Sequence, residues 1–223
     1  RDYPGLTWTL HAASEYTGND ALIAKCKADI ASADIVLCGM LFLEDHFLPI
    51  LDDLRQRRMH CDAMICLASA TEVVQLTRLG QFDMGKPASG PMALLKKLRG
   101  KKEKNSTGGA AQLKMLRRIP QMLRFIPGTA QDVRAYFMTL QYWLGGSDAN
   151  VLNLIRHVVD RGASGERKHL RGMLKPQAPI EYPEMGVYHP RMKGRFSEDA
   201  SALPAPAQGP VKGTVGLLVL RSY

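Results

Sequence analysis

With 45% hydrophobic and 23% charged residues, the 223-residue chain has the make-up of a soluble globular protein of one substantial domain or two small ones. No apolar run approaches the roughly 20 residues that span a bilayer, and a chain this long buries roughly 70% of its unfolded surface without a disulfide or metal staple. The formal charge of +9 is local: Lys96, Lys97, Arg99, Lys101, Lys102, Lys104, Lys114, Arg117, Arg118 and Arg124 stand against Glu103 alone, and the remainder is close to neutral.

Leu6, Trp8, Leu10 and Ala12 alternate with Thr7, Thr9 and His11, the period of a strand with one wet face. Asn19 or Asp20 caps a helix carrying Leu22, Ile23, Cys26 and Ile30 on one side. The run Ile35 to Phe42 is apolar at every position, which predicts a strand buried on both faces in a parallel sheet. Glu44, Asp45 and His46 follow, then a helix with Phe47, Leu48, Ile50, Leu51 and Leu54 as its apolar stripe and Pro49 in its first turn. Ala63–Leu67 reads as a third strand, and Ser69-Ala70-Thr71-Glu72 as a capping box for the next helix. The spacing of these strands suits β–α units. The fold class is therefore α/β, a parallel Rossmann-like or flavodoxin-like layer over residues 1–84, with room for a first strand upstream.

Residues 85–161 read as a basic connector and a mostly helical insertion or subdomain. Leu113, Leu116, Ile119 and Leu123 form a stripe bent or broken at Pro120. Thr129 with Asp132 caps a helix bearing Val133, Tyr136, Phe137, Leu140 and Trp143, stopped by Gly145-Gly146; Ser147 or Asp148 opens another with Val151, Leu152, Ile155, Val158 and Val159. Residues 162–213 are an irregular segment ending in the linker Ala202–Pro210, and 214–223 the first strand of a following domain. Opening on Arg1 and stopping just after the strand-like Val215–Leu220, the chain reads as a piece of a larger polypeptide.

Neither GxGxxG nor GxxxxGK[ST] is present, so no phosphate-binding loop is expected. Glu44 and His46 are the candidate metal ligands, because an acidic cluster at the carboxyl end of a buried strand is where open α/β sheets place ligands. Adjacent helical residues point about 100° apart, however, and helix N-terminal acids favoured by the macrodipole are the simpler reading. His60, Cys61 and Cys66 lack a zinc spacing; Cys38 and Cys66 fall in apolar runs and read as reduced, buried thiols of a cytosolic protein. Asp132, Tyr136 and Trp143 suit either a planar-ligand pocket or plain core. Tyr188 and His189 are an aromatic landmark in a loop. The basic run lacks interleaved aromatics and a nucleic-acid fold motif, which favours a solvated face or an acidic protein partner over nucleic acid.

Taken together, LFLEDHFLPIL, HCDAMICLASATEVVQLTRLGQFDM, LKMLRRIPQMLRFIPGTAQDVRAYFMTLQYWLGG, GVYHP and VGLLVLRS resemble the amino-terminal part of the large, porphyrin-binding subunit of magnesium chelatase. The related large subunit of cobaltochelatase is less similar in QYWLGG and FDM. The resemblance implies a role in ATP-dependent insertion of Mg²⁺ into protoporphyrin IX on the way to chlorophyll or bacteriochlorophyll, with a lean toward the latter. It implies no covalently bound cofactor, porphyrin and Mg²⁺ as substrates, ATP used by separate AAA+ motor subunits, and a downstream porphyrin methyltransferase as a further partner. The implied location is cytoplasmic, or the plastid stroma in a plant or alga. No catalytic residue is carried onto this chain. Trp143, Tyr188 and His189 are its porphyrin-binding candidates, and Lys101, Lys102, Lys104, Arg117 and Arg118 its candidates for docking the motor.

Overall fold

A computed structural model describes residues 3–86, 118–181 and 186–205. They fall into two compact units, residues 1–179 and 180–223. Of the docking candidates, Lys101, Lys102, Lys104 and Arg117 lie outside the described residues, as do Leu113, Leu116 and the strand-like 215–220; Arg118 is described and exposed.

The first unit is a mixed sheet between layers of helices. Helix α1 (Asp20–Ser32) leads to β1 (Ile35–Gly39), α2 (Glu44–Arg57) and β2 (Ala63–Leu67). The two strands pair in parallel with Ile35 opposite Ala63 and Gly39 opposite Leu67, as a β–α–β path requires. A short helix α3 (Thr71–Val74) follows, then the hairpin β3 (Arg78–Leu79) and β4 (Phe82–Asp83), which adds antiparallel strands in the order β1-β2-β3-β4. Gly80 turns this hairpin at φ 58°, a region open to glycine at little cost.

Strand side chains alternate between faces, so one face carries Val36, Cys38, Met64 and Cys66 and packs with Cys26, Ile30, Phe47, Ile50, Leu51 and Leu54 of α1 and α2. The other carries Ile35, Leu37, Ala63, Ile65 and Leu67. It is covered by α4 (Thr129–Gly145) and α5 (Asp148–Gly162), through Val133, Tyr136, Leu154 and Val158. Ile119 and Leu123, from a stretch helical at 118–122, join this second core. Every residue of β2 is buried, as expected of a strand covered on both faces.

Polar locks fix the layers. Asp62, just before β2, accepts from the Ser164 amide (2.9 Å) and hydroxyl (2.8 Å) and from the Arg167 guanidinium (2.8 and 3.1 Å). Burial would raise the Asp62 pKa, but these donors outweigh it and hold the carboxyl below its ordinary range. Arg58 pairs with Asp83 and donates to the Leu76 carbonyl at 2.9 Å, tying α2 to the hairpin. On α5, Asn153 accepts from the Gln177 amide at 2.9 Å, and His157 lies 3.0 Å from the Ala135 carbonyl of α4. Burial lowers the His157 pKa to about 4, so the ring is neutral at physiological pH.

Several expectations are corrected. Leu6–Ala12 forms no strand: no neighbour pairs it among the described residues, and Thr9 and His11 instead hydrogen-bond Asp29 of α1. The strand at Ile35 stops at Gly39, and its burial is uneven: Val36 and Cys38 are buried, while Ile35, Leu37 and Gly39 on the other face are half-buried. Pro49 sits in the second turn of α2, which continues through it although Pro49 has no N–H for the Asp45 carbonyl. Ser69 does not cap α3, whose N-cap is Ala70, and α4 opens from Gly128 without a side-chain cap. Asp132 instead accepts from the Gln81 amide at 2.8 Å, docking the hairpin turn on α4. In α5 the buried face takes Asn150, Asn153 and His157, which turns Val151 and Leu152 outward. Leu48 of α2 is likewise exposed.

Candidate functional site at the crest of the parallel strands

Gly39 closes β1 against the indole of Trp143 from α4. A Cβ on Gly39 would stand 2.6 Å from Trp143 Cζ2, so only glycine lets the ring reach the backbone. The Trp143 ring is half-buried and belongs to the core over that face of the sheet.

Both parallel strands then leave through left-handed residues that are not glycine, Met40 (φ 61°) and Ala68 (φ 40°). Such conformations are uncommon and persist only where the surroundings impose them. Here the two exits are laced together. Met40 N–H donates to the Leu67 carbonyl (3.3 Å) and Ala70 N–H to the Leu41 carbonyl (2.8 Å). The Ser69 hydroxyl accepts from Leu41 N–H (3.0 Å) and donates to the Leu67 carbonyl (2.8 Å). With its proton and a lone pair committed to backbone, Ser69 is a brace and not a nucleophile.

Past the brace, Phe42 and Leu43 are more than half exposed, and α2 begins with Leu43 as its N-cap. Glu44 and Asp45 are open to solvent in the first turn and His46 is half-buried, its amide donating to the Leu43 carbonyl at 3.0 Å. Carboxylates in this turn complement the helix dipole. Among the described residues no group of three or more His, Cys, Asp or Glu side chains is placed to hold a metal. What the crest presents is an apolar loop beside two open carboxylates, a surface for contact with no paired nucleophile and base.

The four cysteines are free and buried, all in the core beneath α1 and α2. Cys38 and Cys66 are register partners across the strands. The neighbouring Cys38 thiol and burial push the Cys66 pKa up, and burial does the same for Cys26 and Cys61. Cys26, Cys61 and Cys66 are thus held in the thiol form as packing groups, unsuited to metal binding or attack. Of the planar-ligand trio, Tyr136 is buried and donates to the Cys66 carbonyl at 3.2 Å, and Asp132 is taken by the hairpin. Both side chains are thus committed to hydrogen bonds within the fold.

In the second unit, β5 (Val187–Tyr188) pairs antiparallel with β6 (Phe196–Ser197). His189 closes this hairpin through its amide to the Arg195 carbonyl (3.1 Å), and its Nδ1 accepts from Arg191 N–H (3.1 Å). Tyr188 is 60% exposed, an open aromatic face, and the exposed Arg191, Lys193 and Arg195 follow it around the turn. Tyr188 and His189 stand out in the sequence, while Arg191, Lys193 and Arg195 read there as scattered loop cations and are grouped only by the β5–β6 turn that carries them.

Among the described residues no helix is long and apolar enough to cross a membrane. A family model described as "Domain of unknown function (DUF3479)" matches residues 1–137, and one described as "CobN/Magnesium Chelatase" matches residues 140–223. Over all 223 residues the chain is 46% identical to the magnesium-chelatase H subunit of Cereibacter sphaeroides, and over 222 residues 47% identical to that of Rhodobacter capsulatus. It is 32% identical over 166 residues, 73% of its length, to the chloroplastic magnesium-chelatase ChlH subunit of Oryza sativa subsp. indica, 12% of which is covered. The chain spans 18% of the length of each bacterial relative. The resemblance read from the motifs is thus borne out: the chain belongs to the DUF3479 family and is, along its whole length, a relative of the magnesium-chelatase H subunit.

Proposed function

We propose that this chain is part of the porphyrin-binding subunit of a magnesium chelatase, the enzyme that inserts Mg²⁺ into protoporphyrin IX at the expense of ATP in chlorophyll or bacteriochlorophyll synthesis. The observation that carries this reading is the 46% identity to the Cereibacter chelatase subunit across every residue of the chain. The named relatives are magnesium-chelatase subunits, which favours this metal over the cobaltochelatase alternative. In this reading ATP is hydrolysed by separate motor subunits, in keeping with a sequence that has no phosphate-binding loop. The setting is cytoplasmic or stromal, and the sheet follows a Rossmann-like plan.

Within the subunit this stretch supplies framework and docking surface. The basic run containing Lys101, Lys102, Lys104, Arg117 and Arg118 meets an acidic face of the motor, a reading supported by its concentrated charge. Tyr188 offers the aromatic face for the porphyrin, with His189 and the basic turn toward its propionates. Trp143 has the supporting role of holding the crest in shape. Glu44 and His46 serve the metal only as outer, transient contacts.

Reversing the charges of Lys101, Lys102 and Lys104 in the chelatase subunit that carries these residues is expected to raise the motor concentration needed for half-maximal activity. An unchanged dependence would remove the docking role. Titrating protoporphyrin IX with this chain is expected to shift its Soret band, less so with Tyr188→Ala. No shift at micromolar protein would reject porphyrin contact by these residues.

A further inference from the structure

Just before α4, residues 119–127 are apolar on two sides. Ile119 and Leu123 turn inward and are 4% and 2% exposed in the core they share with α4. Met122, Phe125 and Ile126 turn outward at 54%, 85% and 39%, and Phe125 is the most exposed large apolar residue among those described. A segment apolar all round is normally covered all round, and apolar side chains gathered on one exposed turn with a polar rim mark a contact site.

The turn is braced in this shape. The side-chain amide of Gln131 on α4 donates to the carbonyls of Leu123 (2.9 Å), Arg124 (3.3 Å) and Ile126 (2.5 Å). Arg134 Nε donates to the Pro120 carbonyl at 3.1 Å, and Ile126 N–H closes on the Leu123 carbonyl at 3.2 Å. Side chains presented from such a frame lose little freedom on binding, which favours a shaped socket over a fluid surface. The charge around the turn has one sign. Arg118 and Arg124 are exposed, and the Arg124 guanidinium lies over the Phe125 ring, 5.5 Å from its centroid. Lys114 and Arg117 come shortly before in sequence, and no acidic residue stands between Lys104 and Asp132. An aromatic side chain flanked by arginines has the composition of an interface hot spot, and its charge calls for carboxylates opposite.

We propose that Met122, Phe125 and Ile126 form an apolar knuckle that docks in a socket on an acidic partner protein. Phe125 is the central anchor, and Arg118 and Arg124 meet carboxylates at the rim. The partner is the ATP-hydrolysing motor, so the inference rests on the docking role proposed above and gives it an apolar anchor apart from the lysines. Charge steers the encounter, and burial of the phenyl ring holds it. Gln131 is a positioning residue that acts through the turn it braces.

The test measures the motor concentration that gives half-maximal chelatase activity, using the whole subunit that carries these residues. Phe125→Ala is expected to raise it about tenfold, Gln131→Ala about threefold, and Phe125→Leu by less than about twofold. Because Phe125 is exposed, Phe125→Ala should melt with the unaltered subunit. An unchanged motor dependence in Phe125→Ala would overturn the knuckle. If reversing Lys101, Lys102 and Lys104 still raised that concentration, the docking role would stand without it. An unaltered subunit inactive with the motor would remove the chelatase reading and this inference together. Two other occupants have their own signatures: retention on vesicles of phosphatidylcholine and phosphatidylglycerol, or self-association of the subunit. Either one, abolished by Phe125→Ala while the motor dependence stays unchanged, would overturn the proposal by assigning the knuckle to a bilayer or to a second copy.

Discussion

Val36, Cys38, Met64 and Cys66 look onto α1 and α2, helices the chain makes directly beside those strands. Ile35, Leu37, Ile65 and Leu67 look onto α4 and α5, which arrive only after the long basic stretch. The near face is sealed mainly by aliphatic side chains and four thiols, with the rings of Tyr16 and Phe47. The far face is sealed by large aromatic groups and by polar groups that each find a partner, such as Tyr136 on the Cys66 carbonyl and His157 on the Ala135 carbonyl. The difference teaches that one sheet joins two kinds of core. The near one forms from local sequence and is filled mostly by apolar volume, with few polar fastenings such as the Tyr16 hydroxyl on the Cys26 thiol. The far one forms from distant sequence, and its polar fastenings register helices against strands.

Removing a shared strand residue should break this arrangement most severely. Ile65→Ala, at a fully buried position of β2 facing α4 and α5, is expected to destabilise the chain by about 3 to 4 kcal/mol. Urea unfolding would check it, with Leu37→Ala on half-buried β1 as the milder comparison. If the two cost the same, the contrast between β1 and β2 is lost.

The far face should also respond to acid in a way the near face does not. The folded-state pKa of His157, about 4, lies below the unfolded value near 6.5. The contribution of the neutral ring is therefore complete above about pH 6.5 and is lost as pH falls toward 4, roughly 3 kcal/mol in all. Unfolding midpoints measured from pH 7 to pH 4 should fall along that window, and His157→Gln should flatten the fall. A smaller effect is expected at the seam beside the crest. Gly39→Ala forces the Trp143 ring to move and should cost about 1 to 3 kcal/mol, with a shift in Trp143 emission. Unaltered emission would mean that the indole does not rest on Gly39.

Much of the local structure on both faces was legible in the sequence. The β2 boundaries, the Asn19 and Ser147 caps and the Gly146 stop all follow from local rules that the structure obeys. The failures share one cause. Leu6–Ala12 alternates like a strand, but alternation does not supply a ladder, and Val151 and Leu152 are apolar at positions that the fold turns outward to bury Asn150, Asn153 and His157. Distant partners outweighed local pattern in each case. The crest shows the same limit: its acids were visible as residues, while the bracing of Met40, Ala68 and Ser69 depends on two strands 28 residues apart in register.

The central claim is that both faces belong to one cooperative body built on β2, and the residues that report it are already divided between them. All four thiols lie in the near core. Once exposed Trp8 is replaced by phenylalanine, Trp143 is the sole tryptophan and reports the far core. Denaturant unfolding of Trp8→Phe, followed at once by thiol reactivity and by tryptophan emission, is predicted to give one shared midpoint. Thiols that become reactive while Trp143 still emits from its native surroundings would contradict it.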